Sequence, residues 1–178
     1  MEELIEKAQK GDKLAFTKIV LTYKEDLYKI AKTRLDNEAD IEDMIQETML
    51  ETYKSIRKLK EPAKLKKWMI KILVNRCNKL YRKKYKNDIS IDEYNMDNYM
   101  IVNSSKNFEN DIEFYELLKI LKYKERIILL LYYMEGYTVK EIKNITGINE
   151  NTIYTNLSRA REKIRKQYEK GGSAICQK

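Results

Sequence analysis

Asp43 and Glu47 are four residues apart in the stretch DIEDMIQETMLETY, residues 40–53, with Gln46 on the adjacent row and Asp40 one turn earlier. Carboxylates at that spacing share a helix face. They can bind a metal, move protons or grip a basic protein surface. The first two uses need company that is missing here. The chain has no histidine and only two cysteines, Cys77 and Cys176, and no nucleophile stands beside the carboxylates. Ile41, Ile45 and Met49 between them read as helix core. No catalytic residue, metal or cofactor is therefore expected. A polynucleotide would be repelled by this face, so it should meet solvent or a cationic protein.

A second constellation lies in GYTVKEIKNITGINENTIYTNLSRAREKI, residues 136–164. Thr138 and Glu141 have capping-box spacing, Gly147 permits a sharp bend, and Asn149 can cap the helix that follows. Ile142 and Ile145 face inward, as do Ile153, Leu157, Ala160 and Ile164. On the other side lie Thr152, Thr155, Asn156, Arg159 and Lys163. This is how a helix-turn-helix separates scaffold from reader. Asn and Arg can reach base edges in a major groove, while Thr and Lys hold phosphates. Arg159 is the leading DNA contact; Tyr154 reads equally as a stacking or a structural aromatic. The plain alternative is a helical hairpin with a solvated outer face, in which Arg161, Arg165 and Lys166 serve the helix end.

Between these stretches the charge reverses. Residues 36–51 carry seven acidic and no basic side chains, whereas residues 57–86 carry thirteen basic ones against Glu61 alone. Lys64, Lys67, Lys71, Arg76, Lys79, Arg82 and Lys83 lie along one helical segment with Asn75, a pattern suited to following phosphates. A lysine-rich solvated surface is the plain alternative. Trp68, the single tryptophan, sits among Leu65, Met69 and Ile72 and reads as core rather than as a base-stacking platform.

The elements that must position these groups are helices. Asp12 can cap a helix with Leu14, Phe16, Ile19, Val20, Tyr23, Leu27, Ile30 and Ala31 on or beside one stripe. Asn37 can cap the next, with Ile41, Ile45, Met49, Tyr53 and Ile56 recurring along it. Pro62 suits the start of a third, whose inward face is Leu65, Trp68, Met69, Ile72, Leu73, Cys77 and Leu80 and whose end is the run YRKKYK. Periodicity fails over residues 87–109, which are polar and Asn-rich; so long a structureless connection argues for two domains. The expectation is an all-α chain: a domain over residues 1–86, a flexible linker over 87–109, a helix-turn-helix domain over 110–170 and a flexible tail over 171–178. The net charge is +8, but its distribution matters more, since such polarity suits two different binding faces. No apolar run reaches membrane-spanning length and the N-terminus lacks a secretory pattern, so a cytoplasmic protein with free thiols is expected.

Taken together, the segments DIEDMIQETMLETYKSI, LKKWMIKILVNRCNKLYRKK and TVKEIKNITGINENTIYTNLSRAREKIRK resemble, in order and spacing, a bacterial sigma factor. The family is sigma-70, and within it the two-domain extracytoplasmic-function class, group IV. The resemblance implies transcription initiation with core RNA polymerase and promoter DNA as partners. It implies polymerase contact through Asp40, Asp43, Gln46 and Glu47. It assigns minus-ten DNA to the turn carrying Lys60 and Lys64 and to the helix carrying Lys67, Asn75, Arg76, Lys79 and Arg82. Minus-thirty-five DNA falls to Thr152, Tyr154, Thr155, Asn156, Arg159 and Arg161. An anti-sigma partner would occlude the apolar and polymerase-binding faces.

Many members carry basic residues where Tyr154 and Asn156 stand, so promoter sequence is not inherited. The segment entering the second domain lacks the family's frequent proline. The basic, Asn-rich composition leaves open a specialised clostridial-type branch. Apart from the resemblance, a helix-turn-helix repressor or activator independent of polymerase is the main alternative, and a ribonucleoprotein module a weaker one.

Overall fold

The computed structural model describes residues 1–35, 37–84, 118 and 120–175. All of the elements are helical, and no strand occurs among the described residues. The expected linker over 87–109, Cys176 and the rest of the last three residues lie outside them. The described residues form two compact units, each taken by itself.

In the first unit, α1 (Glu2–Gln9) precedes the expected helices and buries only Ile5 and Ala8. Gly11, at φ 99°, turns the chain into α2 (Lys13–Lys32), a backbone conformation that a side chain would strain. Asp12 caps α2: its carboxylate accepts from the Leu14 and Ala15 backbone N–H groups at 2.8 and 3.0 Å. Ala15, Ile19, Leu27, Ile30 and Ala31 form the buried stripe. Leu14 departs from the expected stripe and is 76% exposed. It is the second helical residue, and Ala15 takes the inward position instead.

The Asn37 amide oxygen accepts from Asp40 N at 3.2 Å and starts α3 (Glu38–Ser55). Ile41, Met44, Ile45, Thr48, Met49 and Thr52 are buried. Both threonine hydroxyls donate back into the helix, Thr48 to Met44 O at 2.7 Å and Thr52 to Thr48 O at 2.8 Å, so neither is an unmet polar group. Tyr53, expected inward, is 39% exposed and meets the Phe16 ring edge-on, with centroids 4.9 Å apart. Short 3-10 turns at Ile56–Lys58 and Pro62–Lys64 lead into α4 (Leu65–Lys84). Its buried face is rotated from the expected one: Ile70 and Val74 join Leu65, Met69, Leu73 and Cys77, while Ile72 and Leu80, expected inward, are only half-buried. Trp68 is half-buried, at the margin of that face.

Burial pushes the Cys77 thiol from an ordinary value of 9.0 up to about 12. Because the folded value is raised, this contribution to stability is complete below pH 9.0 and is lost as pH rises toward 12. The slope is at most about 1.4 kcal/mol per pH unit. In a Cys176→Ser background, a thiol reagent at pH 8 should label Cys77 only as fast as the domain opens. Cys77→Ala should remove this part of the alkaline stability loss in denaturant titrations. Rapid labelling of folded protein would contradict the burial.

In the second unit, Leu118, Leu121, Leu129 and Ala160 pack together with Ile164 against them. Helix α5 (Tyr123–Leu129) runs into a π-helical turn, Leu130–Met134, where Glu135 N donates to Leu130 O at 3.2 Å. The turn keeps Leu130 and Leu131 buried while Tyr132, Tyr133 and Met134 reach the surface. The expected capping box starts α6 (Val139–Thr146): Glu141 N donates to the Thr138 hydroxyl at 3.3 Å, and Thr138 N to the Glu141 carboxylate at 3.0 Å. Gly147 ends it in the left-handed region at φ 76°, its N–H donating to Lys143 O at 2.8 Å. Asn149 then caps α7 (Glu150–Ile175), accepting from Thr152 N at 2.8 Å. Residues 171–175, expected in the tail, instead continue α7. Extending an established helix avoids the cost of nucleating a new one, although each glycine there costs roughly 1 kcal/mol relative to alanine.

Candidate functional site

Helix α3 presents Asp43, Gln46 and Glu47 to solvent, over a floor of buried Met44, Ile45 and Thr48. Asp40, in the first turn, is only partly exposed. One turn beyond Glu47 stands Leu50, 60% exposed, which the residue pattern does not single out. Three polar side chains and an isolated leucine thus share one face. That surface suits a partner with both cationic and apolar groups.

Helix α4 carries the opposite charge. Lys71, Asn75, Lys79 and Arg82 are exposed at steps of four, four and three residues, and Lys67, partly buried, continues the row toward the helix start. Lys60 and Lys64 are exposed on the connection before it, Lys64 within 2.6 Å of Glu61. Arg76 lies off this row. Its guanidinium pairs with Glu47 and, at 3.2 Å, with Glu51. A residue assigned by resemblance to DNA and one assigned to polymerase therefore touch each other. Arg76 thus bridges the acidic and the basic helix at the edge of their packed faces. Lys66 is similarly occupied, 2.8 Å from Asp26 on α2.

On α7, Tyr154, Thr155, Arg159 and Arg161 are exposed, Tyr154 at 59%, while Thr152 and Asn156 are half-buried. The Asn156 amide donates to Thr152 O at 2.7 Å and the Thr155 hydroxyl to Asn151 O at 2.9 Å, so both polar groups are partly engaged by their own helix. Lys163 leaves the reading surface. Its ammonium donates at 2.7 Å to Glu125, a carboxylate only 2% exposed that also accepts from Lys122 N at 2.8 Å. It tethers α7 to α5. No local pattern could reveal this, since the partners are 38 residues apart.

Among the described residues, no group of three or more His, Cys, Asp or Glu is placed to hold a metal. No described helix is long and apolar enough to cross a membrane.

Residues 19–87 match sigma-70 region 2, and residues 111–164 match sigma-70 region 4. The RNA polymerase sigma factor SigV of Bacillus subtilis (strain 168) is 30% identical over 167 residues, which span 92% of this chain and 97% of that protein. The ECF RNA polymerase sigma factor SigW of the same organism is 31% identical over 184 residues, spanning 94% and 96% respectively. Two solved structures share the fold. CnrH in complex with the cytosolic domain of CnrY gives a TM-score of 0.63 at 19% identity, covering 94% of this chain and 96% of that one. The sigma factor RpoE in complex with the anti-sigma factor NepR from Bartonella quintana gives 0.64 at 20%, covering 86% and 96%. With both regions matched in order and relatives matched along nearly their whole length, the chain belongs to the extracytoplasmic-function class, group IV, of the sigma-70 family of RNA polymerase sigma factors.

Proposed function

We infer that the chain is an alternative sigma factor that binds core RNA polymerase, recognises a two-element promoter and promotes its opening. The observation that carries this reading is the pairing of a region 2 match with a region 4 match in one chain. A polymerase-independent repressor needs the reading helix of region 4. It has no use for an acidic docking helix beside a basic one. No reaction is assigned to the chain, since RNA synthesis belongs to core polymerase, and its place of action is the cytoplasm.

The proposed division of labour follows the surfaces. Asp40, Asp43, Gln46 and Glu47 on α3 meet polymerase. The connection with Lys60 and Lys64, and the row Lys67, Asn75, Lys79 and Arg82, meet minus-ten DNA. Arg76 contributes there only if its carboxylate partners release it. Thr152, Tyr154, Thr155, Asn156, Arg159 and Arg161 on α7 meet minus-thirty-five DNA. A surface that holds unstacked bases more tightly than duplex shifts the opening equilibrium without a chemical step. Polymerase, by holding both readers at once, lowers the entropic cost of engaging the second element. Both structural neighbours are complexes, one with an anti-sigma factor, which supports a similar partner for this chain.

Reconstitution with core polymerase followed by promoter selection tests this reading. Transcription from selected templates should require the chain and fall steeply as salt rises. A folded chain that neither joins polymerase nor directs it to any selected start site would overturn the reading.

A further inference from the structure

Gln9, the last residue of α1, lies before the segment that matches region 2, and no role is assigned to it. Its side-chain amide nitrogen donates to two backbone carbonyls far along the chain, Ile56 O at 3.0 Å and Leu59 O at 2.8 Å. An amide nitrogen has two hydrogens, so its donor capacity is filled. The orientation is also fixed, because a flipped amide would point its oxygen at both carbonyls. Ile56 O, which also accepts from Leu59 N at 3.0 Å, opens the 3-10 turn after α3, and Leu59 closes it, at a helix end where carbonyls run out of intrahelical partners.

Beyond this anchor the backbone is extended at Leu59 and at Glu61, and regular structure resumes only when Lys64 N donates to Glu61 O at 3.0 Å. Lys60 therefore sits on a short free span between the Gln9 anchor and the turn that opens with Pro62. The α1–α2 corner closes on the same connection from a second side. A Cβ at Gly11 would lie 3.4 Å from the Arg57 guanidinium.

We propose that Gln9 is a positioning residue for minus-ten recognition, holding the departure point of the span that carries Lys60 and leads into the turn with Lys64. This rests on the assignment of that span to minus-ten DNA. Gln9 need not touch the DNA. Freed of its two donors, the span would sample several paths, and correct bases would lose their advantage over incorrect ones.

The test uses holoenzyme reconstituted from core polymerase and full-length chain, carrying Gln9→Met, Gln9→Glu or the pair Lys60→Ala/Lys64→Ala. Transcription is measured on the selected promoter, on promoters substituted singly in the minus-ten or minus-thirty-five element, and on a template already opened at minus ten. Gln9→Met should lower discrimination at minus-ten positions about tenfold, as expected for two lost hydrogen bonds. Gln9→Glu, which turns a carboxylate toward two carbonyls, should lower it further. Affinity for core polymerase and discrimination at minus thirty-five should stay within about twofold, and pre-opening should restore much of the lost rate.

Unchanged minus-ten discrimination in a folded Gln9→Met holoenzyme would overturn the proposal. So would an equal loss at both elements, or a Met variant that does not fold, because Gln9 would then serve the domain as a whole. The lysine pair separates the two levels. If its loss leaves minus-ten selection intact, the assignment of the span has failed, whereas sensitivity to the lysines but not to Gln9 removes Gln9 alone.

Discussion

Replacing Asp43 by Lys and Glu47 by Gln together is expected to weaken binding to core RNA polymerase by at least about 100-fold, with the domain still folded. The size follows from what each change does at an interface. Asp43 is exposed and lies on one face with Gln46 and Glu47. Reversing its charge places a cation against whatever basic group it meets, and a like-charge contact costs several kcal/mol. Glu47 needs a gentler change, because lysine there would be thrust against Arg76 and could disturb the α3–α4 contact directly. Glutamine keeps the length and can still accept from the guanidinium while removing the charge. Arg76→Ala is the control. It removes a half-exposed ion pair worth about 1 kcal/mol, and Glu51 and Glu47 both survive. A direct titration with core polymerase at two salt concentrations checks the set. Unchanged affinity in the folded double variant would reject the docking face.

How much of this was legible in the residues depends on how local the cause is. The caps at Asp12, Asn37, Thr138 with Glu141, and Asn149 follow from side chains within three residues of the groups they satisfy, and each is present. Helices α2, α3, α4, α6 and the start of α7 follow from period and caps. The family follows from three separate blocks, and the region 2 and region 4 matches cover the same parts of the chain. Helix α1 was not legible. It is eight residues long with two buried side chains, too little pattern to stand out from a charged N-terminus.

The departures at the candidate sites have one physical origin. A lysine or arginine in a basic run reads as a phosphate ligand until the carboxylate that folding brings beside it is known. Arg76 meets residues on another helix, and Lys163 meets a glutamate whose burial only the tertiary packing creates. Gln9 is the same case with carbonyls as partners. Exposed Leu14 and Leu50 show the converse, since period alone does not tell which apolar residue falls on the rim of a stripe.

Arg159→Ala is expected to reduce binding of holoenzyme to its cognate minus-thirty-five element by about 10- to 100-fold, and to scrambled duplex far less. Arg159 is exposed on α7, while its neighbours Thr155 and Asn156 spend donors on their own helix. An arginine there has its planar fork available for the paired acceptors of a guanine edge, a geometry that lysine cannot copy. Salt dependence distinguishes the roles. Loss of a base contact leaves the slope of log K against log salt nearly unchanged, whereas loss of a phosphate contact lowers it by about one. Lys163→Met gives the contrast, because Lys163 points to Glu125 and its removal leaves a buried carboxylate without its cation. That variant should lose about 1–3 kcal/mol of stability. Once folded, it should bind cognate and scrambled duplex nearly as the unsubstituted chain does, because Lys163 is turned to Glu125 and away from the reading surface. Equal losses for Arg159→Ala on both duplexes, with a slope lowered by about one, would move Arg159 from reading bases to holding phosphate. Base selection would then fall to Tyr154 or Arg161, the other large exposed side chains assigned to this element.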